Sequence, residues 1–338
     1  MADNSSIEWT EATWNPLLGC SRVSPGCDSC YAINTATIRA GNPHPRVAAA
    51  FEGLTERRDG RLDWTGRINL LPERLTQPMS WRKPKRIFVN SQSDLFHADV
   101  PDEYIAKVFA VMALVPQHTF QLLTKRHARM RSLLNSHAWW TRFSIEVAEM
   151  RKAGQSIAYD ADGPHLPNLW LGVSVEDQKW ADIRIPALLD TPAAVRWISA
   201  EPLLGPVDLS EYLDCQEYKE LEYVPGTGNV AWYGPKLGWI VCGGESGPGA
   251  RPMHPDWARG LRDQCAEASV PFFFKQWGNW VAPNEMPPDT FMDWDVENGT
   301  SAYDRDQPWR VGKKRAGRLL DGRTWDEYPE PSREVSGV

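Results

Sequence analysis

Six short apolar runs, each ending in polar residues, constrain this chain more than any other feature. They cover residues 87–90, 119–124, 169–174, 195–200, 239–242 and 270–275. Helical spacing fills most of the gaps. After a helix start at Asp99-Val100-Pro101, Ile105, Val108, Phe109 and Met112 recur on one face until Pro116. Met130, Leu133, Leu134 and His137 suggest the next helix, residues 181–189 another, and Trp257, Leu261, Cys265 and Ala268 a last one over 255–268. Strands that alternate with helices pair in parallel through right-handed crossovers. The pattern predicts an α/β fold, a partial or complete parallel (β/α) barrel of the TIM type, with one more strand within residues 7–19. A chain of 338 residues, 42% of them hydrophobic, is long enough for such a barrel with additions.

In parallel barrels the site lies where the C-terminal ends of the strands meet. Those ends supply Ser91, Gln92, Ser93 and Asp94, then Thr124, Lys125 and Arg126, then Ser174 and Glu176. They continue with Glu201, then Gly243, Gly244, Glu245 and Ser246, and end with Lys275 and Gln276. Asp94, Glu201 and Glu245 are candidates for acid–base work or for substrate contacts. Gly243 and Gly244 would let backbone approach a ligand. His97 reads as a capping or packing residue. Cys242 and Cys265 read as core thiols, with Cys242 also a candidate hydrogen-atom donor because it directly precedes the strand end.

Cys20, Cys27 and Cys30 stand at C-x6-C-x2-C on a turn-rich loop with Gly19, Pro25 and Gly26. Three crowded thiols point to a metal. An iron–sulfur cluster and a structural zinc both remain open from spacing alone; zinc would require a fourth ligand, for which His44 is the nearest candidate. A disulfide is disfavoured by the odd number.

The loop Asn15-Pro16, Gly19-Cys20, Cys30-Tyr31-Ala32 resembles the cluster loop of radical S-adenosylmethionine (SAM) enzymes of the spore photoproduct lyase-like branch, although its first gap is longer and Ser29 stands where an aromatic is usual. A closer resemblance is to the phage Gp37/Gp68 (three-Cys-motif, DUF5131-type) family. It runs through Val89-Asn90-Ser91, Ser93-Asp94-Leu95-Phe96-His97 and Gly243-Gly244-Glu245-Ser246-Gly247. The first resemblance implies a radical SAM barrel with a 4Fe–4S cluster on Cys20, Cys27 and Cys30. One iron is left for SAM, which is cleaved after reduction by an external one-electron donor so that hydrogen can be abstracted from a substrate. It also implies that Ser91 or Ser93, Thr124-Lys125 and Ser174 hold SAM, with Lys125 on its carboxylate. A nucleobase or nucleoside, free or in nucleic acid, is the substrate it suggests. Two rivals are a zinc-dependent nucleic-acid interaction protein without catalysis and a metal-dependent barrel hydrolase built on Asp94, Glu201 and Glu245.

The organisation expected is a barrel over 1–277, with insertions near 139–168 and 205–238, and a C-terminal extension over 278–338 packed on it. Residues 33–86 read as an excursion covering one end, with 56–61 a solvated charged stretch. Cys215, in the second insertion, is not expected to bind metal. The polar start and the lack of a long apolar run predict a cytosolic protein with no membrane contact. The net charge of −7 argues against a nucleic-acid surface. Yet Lys313, Lys314, Arg315, Arg318 and Arg323 form one basic cluster flanked by Trp309 and Trp325, which nucleic acid could use if it lay over the barrel mouth. Seventeen tryptophans are unusual, and packing of long loops onto the body is their expected role.

Overall fold

Each apolar run forms a strand in the computed structural model, which describes residues 5–152, 157, 165–213, 237–286 and 308–329. Seven parallel strands lie side by side in chain order: β1 (Ala12–Trp14), β2 (Arg86–Val89), β3 (Thr119–Thr124), β4 (Leu169–Ser174), β5 (Val195–Ala200), β6 (Trp239–Gly243) and β7 (Phe272–Gln276). Among the described residues β7 does not pair with β1, so the sheet curls into a half-barrel, the partial form of the expected fold. The outer edge of β7 is covered by the C-terminal extension: Phe274 N–H donates to the Trp325 carbonyl (2.9 Å) and Phe273 bridges to Asp326.

Side chains alternate along a strand, so every second residue faces inward. The outward set includes Ile87, Val89, Leu171, Val173, Ile198, Ile240, Phe272 and Phe274, and packs in one core with the helices. α1 (Tyr31–Ala40) packs in a second core, and the helices of this one are α2 (Asp102–Ala113), α3 (His127–Leu134), α4 (His137–Met150), α5 (Gln178–Leu189) and α6 (Pro255–Glu267). Phe88, Trp170, Trp197, Trp239, Val241 and Phe273 face inward and close on Trp9 as a separate aromatic plug. Trp9 meets Phe88, Trp197 and Trp239 at ring-centroid distances of 4.6, 5.3 and 6.1 Å. These tryptophans thus fill the barrel interior, a correction to the expectation that they pin loops. Gly172 makes the plug possible, because a Cβ there would lie 2.5 Å from the Trp197 indole.

Three other local expectations change. His137 does not continue α3: Ser136 caps a new helix, accepting from Trp139 N–H, and α4 packs its Trp139, Trp140 and Phe143 into the main core. The front of the first insertion is therefore part of the helical layer. The stretch 56–61 is a hairpin, Thr55–Arg58 against Arg61–Trp64, turning at Asp59 and Gly60, both with positive φ. This Asp-Gly pair is a strong hairpin signal that the surrounding charges obscured. Asp99 also lies before the helix, which starts at Asp102 after Pro101. The hairpin, α1 and the helix Pro45–Phe51 form a small second core, and Cys20 and Cys30 pack against it.

Candidate active site

Following the inward face up five of the strands, apolar residues give way to polar ones: Phe88 to Asn90, Leu123 to Lys125, Trp170 to Ser174, Trp197 to Ser199 and Glu201, Phe273 to Lys275. The result is a cavity of about 460 Å3 whose floor is Trp9, Phe88 and Leu123. Of the residues named from sequence, Cys20, Cys27, Cys30, Ser91, Ser93, Asp94, Thr124, Lys125, Ser174, Glu201, Gly244 and Glu245 line it. A second, more open groove, of about 610 Å3, runs between α3 and α5 and contains none of them.

The cysteine loop crosses the mouth of the half-barrel and is tied to the ends of four strands. At β2, Gly19 bridges to Ser93, whose hydroxyl donates to the Leu17 carbonyl (2.9 Å). After β3, Arg126 Nη2 donates to Ser21 Oγ (2.7 Å) and to its carbonyl (3.1 Å). After β4, Ser24 Oγ donates to Glu176 Oε1 (2.6 Å). After β6, Arg251 Nη2 donates to the Pro25 carbonyl (2.8 Å) and Ser29 Oγ to the Gly249 carbonyl (3.1 Å). Gly26 lies so close over Glu176 that a Cβ would stand 2.3 Å from the carboxylate.

These ties redistribute the roles read from sequence. Both Asp94 oxygens accept from the Thr124 hydroxyl (2.7 and 2.9 Å), and Lys125 N–H and Phe96 N–H complete the set. Ser91 exchanges hydrogen bonds with Asn15 (3.1 and 3.3 Å). Glu245 is held by Arg251 through Nε (2.9 Å) and Nη2 (2.7 Å). Asp94, Thr124, Ser91, Ser93 and Glu245 are thus spent largely on holding the strand ends and the loop. Glu176, fully buried, joins Ser24, Arg184 Nη1 (2.8 Å) and Lys125 Nζ (3.5 Å). The sequence placed it at a strand end without a role. Its inward parity with Ser174 was the available signal.

Glu201 pairs with a lysine that also lines the cavity. Lys275 Nζ lies 2.8 Å from Oε1, and Ser199 Oγ donates to Oε2 (3.1 Å). Gly243 makes room for this carboxylate, since a Cβ would sit 2.8 Å from Oε1. Gly244 admits the Trp277 carbonyl, which would lie 2.0 Å from a Cβ. Both glycines therefore make room for the protein's own atoms, and Gly244 also lines the cavity. Cys242 has the opposite parity, is fully buried among residues of the helical core and does not line the cavity, which removes it as a hydrogen-atom donor. Cys265 is a core thiol. Cys215 lies outside the described residues.

Burial, aided by the Asp94 carboxylate, pushes the Cys20 thiol up to about 12, and burial raises Cys30 as well. Such thiols ionise when a cation takes the place of their protons. Among the described residues no three His, Cys, Asp or Glu side chains close on one point as a single ion would require. His44 is exposed at the start of the Pro45–Phe51 helix and away from the cavity lining, so it is no fourth zinc ligand. His97 accepts from Asp99 N–H at Nδ1 (3.2 Å), which leaves Nε2 to donate to Ser21 Oγ (3.0 Å). Burial lowers its pKa, and it acts as a neutral loop fastener.

The C-terminal basic cluster is mostly engaged elsewhere. Arg318 pairs with Asp326, Arg323 stacks on Trp325 (3.3 Å to the ring centroid) and Trp325 packs on the main core. Only Lys313 of the cluster reaches the cavity, paired with Glu8 (3.3 Å). No described helix is long and apolar enough to cross a membrane.

Over residues 4–329 the chain matches the family described as protein of unknown function DUF5131, and it belongs to that family. No curated protein and no solved structure matches it.

Proposed function

We propose that this member of the DUF5131 family is a radical SAM-type enzyme whose 4Fe–4S cluster is held by Cys20, Cys27 and Cys30. The observation that carries this reading is the position of the cysteine loop. It spans the mouth of a parallel half-barrel, is fastened to the ends of β2, β3, β4 and β6, and turns its three cysteines to one cavity. The donor set fits the group, because iron–sulfur clusters take thiolate ligands and the cavity is far larger than a lone ion needs. When bound with SAM and reduced by an external one-electron donor, the cluster would supply homolytic chemistry that no side chain here can.

The chain's own residues do the rest. Lys125 stands at the end of β3 next to the loop, where a ligand carboxylate could replace Glu176 as its partner; Glu176 would keep Arg184 and Ser24. Ser174 is a buried hydroxyl on the same wall. The aromatic plug forms an apolar floor under these groups.

The test is anaerobic reconstitution followed by an iron count and a visible spectrum. The expected protein is brown and holds close to four irons, as a cubane requires. It should release 5′-deoxyadenosine when given dithionite and SAM. Cys20→Ala, Cys27→Ala and Cys30→Ala should each lose the cluster. Lys125→Ala should keep it and weaken SAM binding by about 1.5–3 kcal/mol, the worth of a hydrogen bond to a charged group. Zinc without iron after reconstitution would sink the reading.

A further inference from the structure

The wall built by β5, β6 and β7 carries a polar pair with no task in holding the loop. Lys275 and Glu201 are 2.8 Å apart, Ser199 steadies the carboxylate, and all three line the cavity above the Trp9–Phe88 floor. Their side chains are largely buried, at 18% and 13% exposure for Lys275 and Glu201. At the rim nearby, Lys313 faces Glu8 (3.3 Å). Among the described residues, each cation lining this side therefore has its own carboxylate, and the wall offers a polyanion no excess positive charge.

A buried ion pair resists separation, since a partner left alone loses its compensation at a cost of several kcal/mol. A ligand that binds here without that cost must leave the pair intact and use what it has spare. Lys275 turns one ammonium N–H toward Glu201 and keeps others free to donate. Glu201 accepts from Lys275 and Ser199 and keeps lone pairs. An intact pair thus shows a donor beside an acceptor, and its complement is a carbonyl beside an N–H. The cis-amide edge of a lactam or cyclic imide has that arrangement, and a flat ring would rest on the indole and phenyl floor. A free amino acid or a phosphate would instead pull the pair apart.

We propose that Glu201, Lys275 and Ser199 form the substrate subsite, and that it takes a small, net-neutral lactam or cyclic imide through its amide edge. This inference deepens the radical SAM reading and rests on it for the chemistry, but the binding can be measured without that chemistry.

The experiment is calorimetry on the full-length, anaerobically reconstituted protein, with iron counted on the same sample. The probes are 2-pyridone, N-methyl-2-pyridone, glycine and inorganic phosphate. In the wild type, 2-pyridone should bind at least about tenfold more tightly than its N-methyl analogue, which has lost one hydrogen bond. Glycine and phosphate should bind more weakly than 2-pyridone. Lys275→Met and Glu201→Ala should each weaken 2-pyridone by about tenfold or more and narrow the preference over the N-methyl form. Equal binding of the two pyridones to the wild type, no binding of 2-pyridone, or tighter binding of glycine or phosphate would each overturn the proposal. The wild-type comparison stands even if a variant misfolds. Lack of iron with selective 2-pyridone binding would overturn the cofactor reading and leave the subsite.

Discussion

The two ends of the same strands are built on opposite principles. At the lower end, Trp170, Trp197, Trp239 and Phe273 meet Trp9 in a buried apolar plug. At the upper end, the same inward faces carry Ser174, Glu201 and Lys275, and the loop above them is fastened by individual polar ties. The floor depends on volume and shape, so its contribution is stability. The mouth depends on directed hydrogen bonds and charge, so its contribution is position. A ring removed from the floor leaves a cavity, whereas a hydroxyl removed from the mouth moves a ligand.

The sharpest way to break this contrast is to exchange the expected effects. Trp197→Ala empties the centre of the plug and frees the Trp170 carbonyl that its indole N–H now bonds (3.1 Å). It should cost about 3–5 kcal/mol in urea unfolding. The folded fraction should still load metal as the wild type does. If metal loading per folded molecule fell as far as stability, floor and mouth would not be separable.

Ser24→Ala should show the converse on a smaller scale. Losing the hydroxyl that bonds Glu176 should cost about 1.5 kcal/mol, the low end for a hydrogen bond to a charged group. Metal retention against a chelator should drop clearly, because the loop loses its tie to β4. Unchanged retention would mean that the remaining ties at Ser21, Pro25 and Ser29 suffice.

The smallest effect concerns pH. His118 is buried beneath Trp81, with Nε2 3.2 Å from the Pro78 carbonyl, and burial lowers its pKa. A histidine whose folded pKa is depressed binds protons more readily when unfolded. Its contribution is therefore fully present above the ordinary histidine value of about 6.5 and declines as pH falls from there toward the lowered folded value. Thermal unfolding between pH 7 and 5 should steepen for this reason, and His118→Asn should flatten that slope without affecting metal loading. An unaltered slope would assign the acid sensitivity to other groups.

Much of the fold was legible because its signals are local. Residues 119–124, 169–174 and 195–200 are strands because short, mostly apolar runs bounded by polar residues bury both faces, and strand–helix alternation then restricts pairing to parallel. The tryptophan plug was not legible, since seventeen tryptophans do not by themselves say which indoles share an interior. That required the curl of the sheet and the absent Cβ of Gly172. The start of α4 was missed because His137 extends the spacing of α3, while the cap at Ser136 overrides it.

What the sequence alone determined is which residues could share the mouth: strand ends converge in a parallel half-barrel, and parity fixes which side chains point in. Cys242 stayed a candidate at that level, and only its place in the helical core, out of phase with Val241 and Gly243, removed it from the cavity. What only the tertiary structure decided is how those residues divide the work. Asp94 and Glu201 are both acids at strand ends, yet Asp94 is absorbed by Thr124 and two backbone N–H groups, while Glu201 pairs with the Lys275 ammonium and accepts from Ser199. Partner choice depends on distances across β2 to β3 and β5 to β7, which neighbours in the chain cannot specify. The physical reason is that a carboxylate's role is set by the donors that reach it, and those donors are brought together only when the sheet curls.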